Sequence, residues 1–236
     1  MNLRLRGHQK AAIKKFEESE KGILVYHGLG SGKTITGISC ANTIPDRKHI
    51  YVTQSSILEQ FKREVRKYSR SRKYEIYSYR EFIDMLRLSE VGSDTVLVLD
   101  EAHRIRNPHT AGSILINNYI QRDAYKVVFL TGTPMVNYPW DISHMLNLLH
   151  PSSQLPSTKN AFILQYYEEN KNGFSIQNKE SFKRITKPIV SKYLQSDSSH
   201  YPKREDDTVE VEMAPEQARL HSEVVDATIG SKNLQK

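Results

Sequence analysis

The sequence holds one cysteine and one tryptophan in 236 residues, and it has no apolar run approaching the ~18 residues that a membrane-spanning helix needs. Cys40 has no partner for an internal disulfide, so covalent cross-links do not hold the fold, and a reducing compartment suits it. The opening Met1-Asn2-Leu3-Arg4-Leu5-Arg6 lacks the apolar core of a signal peptide. The expectation is therefore an intracellular protein, whether cytoplasmic, nuclear or carried in a virion, with no membrane partner. The nine histidines show no metal-ligand spacing, which disfavours zinc. Repeats and low-complexity tracts are missing too, and 38% hydrophobic with 26% charged residues is a globular composition able to bury a sizeable core. What is in excess is positive charge. Lys and Arg number 34 against 27 Asp and Glu, a formal +7 that permits a polyanionic partner without demanding one.

Short β-branched or aromatic runs at 22–26, 49–53, 74–77, 95–99 and 126–130 read as buried strands. Helical patterns at about 34–43, 55–68, 79–88 and 112–121 lie between them, which is the rhythm of an α/β fold with a mainly parallel sheet flanked by helices. After Leu130 the alternation stops. Helices are predicted over 138–150, 160–170 and 178–194, then a lone strand over 208–213 and a helix opening at Pro215. The polar stretch 195–207 reads as a linker, and the residues beyond it are too few for a domain with its own core.

Directly after the first predicted strand stands His27-Gly28-Leu29-Gly30-Ser31-Gly32-Lys33-Thr34, followed by a helical pattern. A strand, a glycine-rich turn, Lys-Thr and a helix aim backbone N–H groups and the positive end of the helix at a nucleotide's phosphates. In this reading Gly28, Gly30, Ser31 and Gly32 form the cradle, Lys33 reaches the terminal phosphates, and the Thr34 hydroxyl ligates Mg2+. The general pattern has glycine six residues before the lysine; His27 stands there, and the three glycines supply the flexibility instead. A tight turn would use glycine in the same way. The flanking strand and helix favour nucleotide binding.

The fourth predicted strand runs into Asp100-Glu101-Ala102-His103. Ligands of parallel sheets sit at the carboxyl ends of the strands, so Asp100 is placed to organise Mg2+ and Glu101 to polarise an attacking water as general base. An acidic helix start would look similar in isolation. The fifth strand ends in Thr131-Gly132-Thr133-Pro134, where two hydroxyls and a proline-fixed turn suit a relay, through Thr131 and Thr133, between the nucleotide and another surface.

In order and spacing these motifs resemble superfamily 2 helicases and translocases of the Swi/Snf-like branch, over most of residues 5–151. Leu5-Arg6-Gly7-His8-Gln9 is similar to the branch's adenine-recognition motif, and His27 to Thr34 to motif I. The stretch from Val52 through Gln54, Ser55 and Phe61 is similar to motif Ia, and Tyr77-Ser78-Tyr79-Arg80-Glu81-Phe82 to motif Ib. Asp100 to Pro108 resembles motif II with its basic, Asn-containing extension. Leu130 to Pro134, with Asn137 and Leu148-Leu149-His150-Pro151, resembles motif III and its trailing helix. Ile189-Val190-Ser191-Lys192-Tyr193, Tyr201-Pro202 and Val211-Glu212-Met213 to Gln217 look like the nucleoside triphosphatases and transcription-factor helicases of large cytoplasmic DNA viruses, a pattern phage helicases can share.

The resemblance implies a RecA-like P-loop lobe over 1–151, a helical extension and linker over 152–207, and the start of a second lobe over 208–236 whose remainder is missing. It implies ATP and Mg2+, with Arg6, Gln9 and His103 joining the phosphate loop at the nucleotide and Gln54, Ser55, Tyr79 and Arg80 at nucleic acid. Double-stranded DNA is the expected track, with transcription machinery as a further partner. Without the second lobe's arginine finger, turnover is expected to fall roughly 10³-fold or more.

Residues 62–87 hold nine basic against four acidic residues, interleaved with Tyr68, Tyr74, Tyr77 and Tyr79. Lying between motifs Ia and Ib, this excess is expected on the side facing the track, as either a phosphate-tracking groove or a solvated helix face. A small-molecule P-loop kinase has no need of the Asp-Glu-Ala-His and Thr-Gly-Thr-Pro pair, and the Leu-Ser-Gly-Gly-Gln of transport ATPases is absent. A nucleotide-gated, non-catalytic docking module for transcription or replication machinery stays open. The presence of Lys33, Thr34, Asp100 and Glu101 together argues against it.

Overall fold

The computed structural model describes residues 4–135, 139–152, 154–170, 173–194, 209 and 211–233. It divides into two units, Met1–Ser196 and Asp197–Lys236. The first opens with α1 (Gly7–Glu18) and β1 (Gly22–His27), followed by α2 (Lys33–Ala41), β2 (His49–Thr53), α3 (Leu58–Tyr68), β3 (Tyr74–Ser78) and α4 (Tyr79–Arg87). It continues through β4 (Thr95–Asp100), α5 (Ala111–Arg122), β5 (Ala124–Thr131), α6 (Asp141–Leu149) and α7 (Lys159–Tyr166). The antiparallel pair β6 (Tyr167–Asn170) and β7 (Gly173–Ile176), then α8 (Lys179–Thr186) and β8 (Val190–Tyr193), complete it. The second unit carries α9 (Pro215–Asn233).

Six strands form one sheet in the order β3-β2-β4-β5-β1-β8, and every neighbouring pair is parallel. Strands buried on both faces need apolar residues at successive positions, and β1, β2, β4 and β5 supply them. Alternation then sorts side chains between two cores. Ile23, Val25, Tyr51, Val96, Val98, Val128 and Leu130 pack under α1, α2 and α3, while Leu24, Ile50, Val52, Leu97, Leu99, Val127 and Phe129 pack under the helices of the other face. Cys40 lies in the first of these cores, where burial pushes its thiol well above the usual range. Among the described residues no helix is long and apolar enough to cross a membrane.

The five expected strands and the α/β architecture are present, and α1 is an element the apolar runs did not announce. Two predicted helices are corrected. The 160–170 pattern is helical only through Tyr166 and then becomes β6. The 178–194 pattern breaks after Thr186 because Pro188 has no N–H to donate and biases Lys187 away from helix. Val190–Tyr193 then pairs with Leu24–His27, so a segment expected in a helical extension is the sixth strand of the sheet. Residues 209 and 211–213, expected as a strand, have no regular structure; 208, 210 and the linker 195–207 lie outside the described residues. Tyr138 and Asn137 lie outside them as well, and the helix expected from 138 begins at Asp141.

Three lysines tie strands to carbonyls around α1. Lys126 Nζ on β5 donates to the Phe16 carbonyl at 2.7 Å and the Glu17 carbonyl at 3.1 Å, satisfying the end of α1. Lys15 donates to the Val190 carbonyl at 3.0 Å and also to that of Lys187, and Lys21 donates to the Ala124 carbonyl. Burial lowers the pKa of all three. β1 itself starts where a side chain has no room, since a Cβ on Gly22 would sit 1.9 Å from the Val127 carbonyl oxygen of β5. Gly22→Ala must push β1 and β5 apart, and a loss of about 3 kcal/mol is expected in urea unfolding, the upper end of overpacking costs.

Candidate nucleotide-binding site

Because all six strands are parallel, their carboxyl ends meet at one edge, and His27, Thr53, Asp100, Thr131 and Tyr193 all lie there. The loop after β1 turns with Gly30 at φ 70° and Gly32 at φ 80°, the left-handed region that favours glycine. Gly32 caps α2, so the N–H groups of the first turn, from Lys33, point out of the helix toward the loop. A Cβ on Gly32 would also meet Gln9 Nε2 at 2.8 Å. The loop is braced internally by Ser31 Oγ donating to the Gly28 carbonyl at 2.6 Å. Lys33 Nζ donates to the same carbonyl at 3.3 Å and lies close to Gly132 at the end of β5. These groups make an anion cradle with the Lys33 ammonium at its mouth.

Gln9 is buried and ties the start of α1 to the loop. Its Oε1 accepts the Arg6 backbone N–H at 2.8 Å and its Nε2 donates to the Gly32 carbonyl at 3.3 Å. His8 Nε2 lies 3.1 Å from the Ser31 carbonyl. Gln9 thus stands against the phosphate loop, and Arg6 is joined to it through Gln9.

Asp100, 5% exposed, ends β4 beside the loop. Burial raises its pKa, and the 2.9 Å hydrogen bond donated by Thr53 Oγ1 to Oδ2 opposes that shift, as does the Lys33 ammonium. Glu101 follows in the left-handed region at φ 50°, an uncommon conformation for a non-glycine residue that turns its carboxylate back toward the edge. Glu101 Oε2 lies 3.3 Å from His103 Nδ1, which is 3.1 Å from Thr131 Oγ1, and Thr131 Oγ1 accepts the Thr133 N–H at 3.0 Å. Burial lowers the His103 pKa against the pull of Glu101, and the ring stands between Glu101 and the two threonines. Asp100 and the Thr34 hydroxyl are hard oxygen donors of the kind Mg2+ takes.

The residues expected at nucleic acid divide. Ser55 and Arg80 are exposed and Gln54 is half-buried, at the carboxyl ends of β2 and β3. Tyr79 is not on that surface. It is 9% exposed, and its hydroxyl donates to the Asp100 backbone carbonyl at 2.8 Å. The reason is its place at the start of α4, whose capping box from Ser78 and Glu81 turns it into the core while Arg80 faces out.

The basic excess of residues 62–87 divides as well. Ser71 Oγ donates to the Arg47 carbonyl at 3.1 Å and the His49 N–H to the Lys73 carbonyl at 2.9 Å, which sets the α3–β3 turn beside the start of β2. Arg70, Arg72 and Lys73 therefore lie at the amino edge, opposite the nucleotide edge. Glu59 pairs with Lys62 and Asp84 with Arg87 at the exposed ends of their helices. The excess was expected on one face because its residues adjoin motifs Ia and Ib, but a crossover helix must carry the chain back across the sheet.

The SNF2-related domain matches residues 74–236. The chain belongs to that family. The family described as Type III restriction enzyme, res subunit, matches residues 2–86. Among curated SNF2-related and helicase proteins, the putative ATP-dependent RNA helicase L538 of Acanthamoeba polyphaga mimivirus is 28% identical over 223 residues, covering 89% of this chain and 46% of that protein. A termination factor NPH-I homolog of African swine fever virus is 26% identical over 185 residues, covering 66% of this chain and 26% of its own. The chain thus spans about half or less of the relatives it matches. The Sulfolobus solfataricus SWI2/SNF2 ATPase core, solved in complex with dsDNA, superposes with a TM-score of 0.65 at 21% identity, over 99% of this chain and 54% of that one. That likeness shows the fold. With the family, it makes this chain a superfamily 2, Swi/Snf-like helicase lobe.

Three contacts of this SNF2-related lobe were not foreseen although their residues stand in motif-like stretches: Thr53 on Asp100, Tyr79 beneath it, and Ser191 Oγ at 3.0 Å from the buried His27 Nε2. Burial pushes His27 down to about 4, and the same holds for His144. A histidine with a depressed native pKa binds more protons unfolded than folded, so stability falls as pH drops from about 6.5 to 4. Urea unfolding midpoints should decline across that window, and less steeply in His27→Gln, whose amide can still donate to Ser191.

Proposed function

We propose that this chain is the ATP-binding lobe of an ATP-dependent translocase that moves along nucleic acid, with duplex DNA as its track. The observation that carries the reading is the gathering of Lys33, Asp100, Glu101 and Thr131 at one sheet edge, joined by the Glu101–His103–Thr131 contacts. Lys33 exchanges the Gly28 carbonyl for the terminal phosphates. The backbone of residues 28–34 holds the phosphate chain, and the Arg6 and Gln9 region faces the base. Glu101 accepts a proton from the attacking water, whose in-line placement near the γ-phosphate is the largest demand of the reaction. Mg2+ when bound, with Thr34 and Asp100 as its ligands, neutralises phosphate charge. His103 is within reach of both Glu101 and Thr131, so a change at the nucleotide reaches Thr133 and the surface beyond it.

Thr53 and Tyr79 connect the same centre to the track side. Each precedes a residue assigned to nucleic acid, Gln54 and Arg80, and each holds Asp100 by one of its oxygens. Residues 1–151 contribute the catalytic edge, and the second unit begins a second RecA-like lobe that supplies the arginine finger. An SNF2 core solved on dsDNA favours a DNA track, whereas the mimivirus relatives are named RNA helicases. Transcription machinery is the further partner that the NPH-I homolog suggests.

The test uses the full-length protein. ATPase turnover should rise with duplex DNA more than with duplex RNA, and Glu101→Gln should keep ATP affinity while losing turnover by roughly 10²–10⁴-fold. Unchanged turnover in Glu101→Gln removes the general base, and stronger stimulation by RNA reverses the choice of track.

A further inference from the structure

His27 occupies the position where the general phosphate-loop pattern has glycine, and its imidazole is fully buried. Only Nε2 has a partner among the described residues, the Ser191 hydroxyl at 3.0 Å on β8; Nδ1 has none. An unpaired buried N–H donor is rarer and costlier than an unpaired acceptor. The ring is therefore neutral with its proton on Nε2, donating to Ser191 Oγ.

Tyr193, two residues on, reaches the loop twice. Its backbone carbonyl accepts the Gly28 N–H at 2.9 Å. Its ring stacks on His8 with centroids 3.8 Å apart and planes 7° apart, and His8 stands edge-on to His27 at 5.1 Å. His8 in turn touches the Ser31 carbonyl. Three rings thus form a wedge behind the loop, with polar contacts at both ends of it. Lys15 on α1 grips the Val190 carbonyl at the opposite end of β8, so α1 and β8 bear on the loop together.

We infer that β8 is a positioning strand for the phosphate loop, acting through the Ser191 hydroxyl on His27 and the Tyr193 carbonyl and ring on Gly28 and His8. This rests on the loop being the nucleotide site. β8 has four residues, lies at the edge of the sheet and among the described residues pairs as a strand with β1 alone, so it is held by fewer ladder bonds than the strands bearing Asp100 and Thr131. It is also the last described element before the chain passes to the second unit. A displacement of β8 therefore changes the cradle without altering Lys33, Asp100 or Glu101, and by reciprocity a nucleotide that orders the cradle orders β8.

The test uses the full-length protein and a fluorescent ADP analogue. Tyr193→Ala should weaken binding about ten-fold and Ser191→Ala several-fold, whereas Tyr193→Phe, which keeps the ring and the carbonyl, should bind within two-fold of the parent. Saturating ADP should slow hydrogen exchange at residues 190–193 as well as at 27–34. Parent-like binding by both Tyr193→Ala and Ser191→Ala would overturn the inference, as would protection of 27–34 with none at 190–193. Equal weakening in Tyr193→Phe and Tyr193→Ala would remove the ring contact. Lys33→Ala serves as the reference: if it binds ADP as tightly as the parent, the nucleotide site is elsewhere. If it loses binding while the β8 variants do not, the site stands and the positioning role falls.

Discussion

β1 is hydrogen-bonded on both sides, to β5 and to β8, and all three run in the same direction. Most of the structure follows from that parallel pairing. Parallel strands cannot be joined by tight turns, so each connection must cross back over the sheet, usually as a helix. The helices bury both faces, the central strands β1, β2, β4 and β5 become mainly apolar, and the polar groups that could act together gather where strands end. The carboxyl edge is therefore the one place in the sheet where Asp100, Glu101, Thr131 and the loop after His27 can be close together without being sealed in the core.

That edge is built at some expense to stability. Asp100 is a carboxyl among buried neighbours, whose burial raises its pKa while the Thr53 hydroxyl and the Lys33 ammonium oppose that shift. Glu101 has a left-handed backbone, which costs a non-glycine residue on the order of 1 kcal/mol or more. Tyr79 adds a hydroxyl at the Asp100 carbonyl rather than at the surface. The surrounding strands carry these two local costs.

The parts of the fold legible in the sequence were those whose physics is local. Val-Leu-Val-Leu before Asp100, or the three glycines before Lys33, specify a strand and a turn whatever lies elsewhere. Thr131 and Glu101 could be placed because a strand end fixes them. β8 was not legible as a strand, although Pro188 was a visible signal that the helix of residues 179–186 had to stop. Ser191 stands in a stretch that the viral resemblance marks, but its role was not legible because its partner, His27, is 164 residues away. Tyr79 was misplaced for a related reason. Its motif is shared with an exposed arginine, and only the capping geometry of α4 decides which of the two faces inward. The cations of residues 62–87 show the same limit, since nearness along the chain does not put residues on one side of a sheet.

The lysines around α1 bear on how a formal charge should be used. Lys15, Lys21 and Lys126 hold backbone carbonyls, Lys126 buried and the other two half-buried, so they count toward +7 while being less available than free surface lysines to a polyanion. The charge that a nucleic acid meets is set by the exposed arginines and lysines alone. A composition-based estimate of ionic-strength sensitivity would therefore be too steep. It would also be misdirected, because an acylating reagent would reach the exposed amines first and the buried Lys126, which closes the end of α1, last.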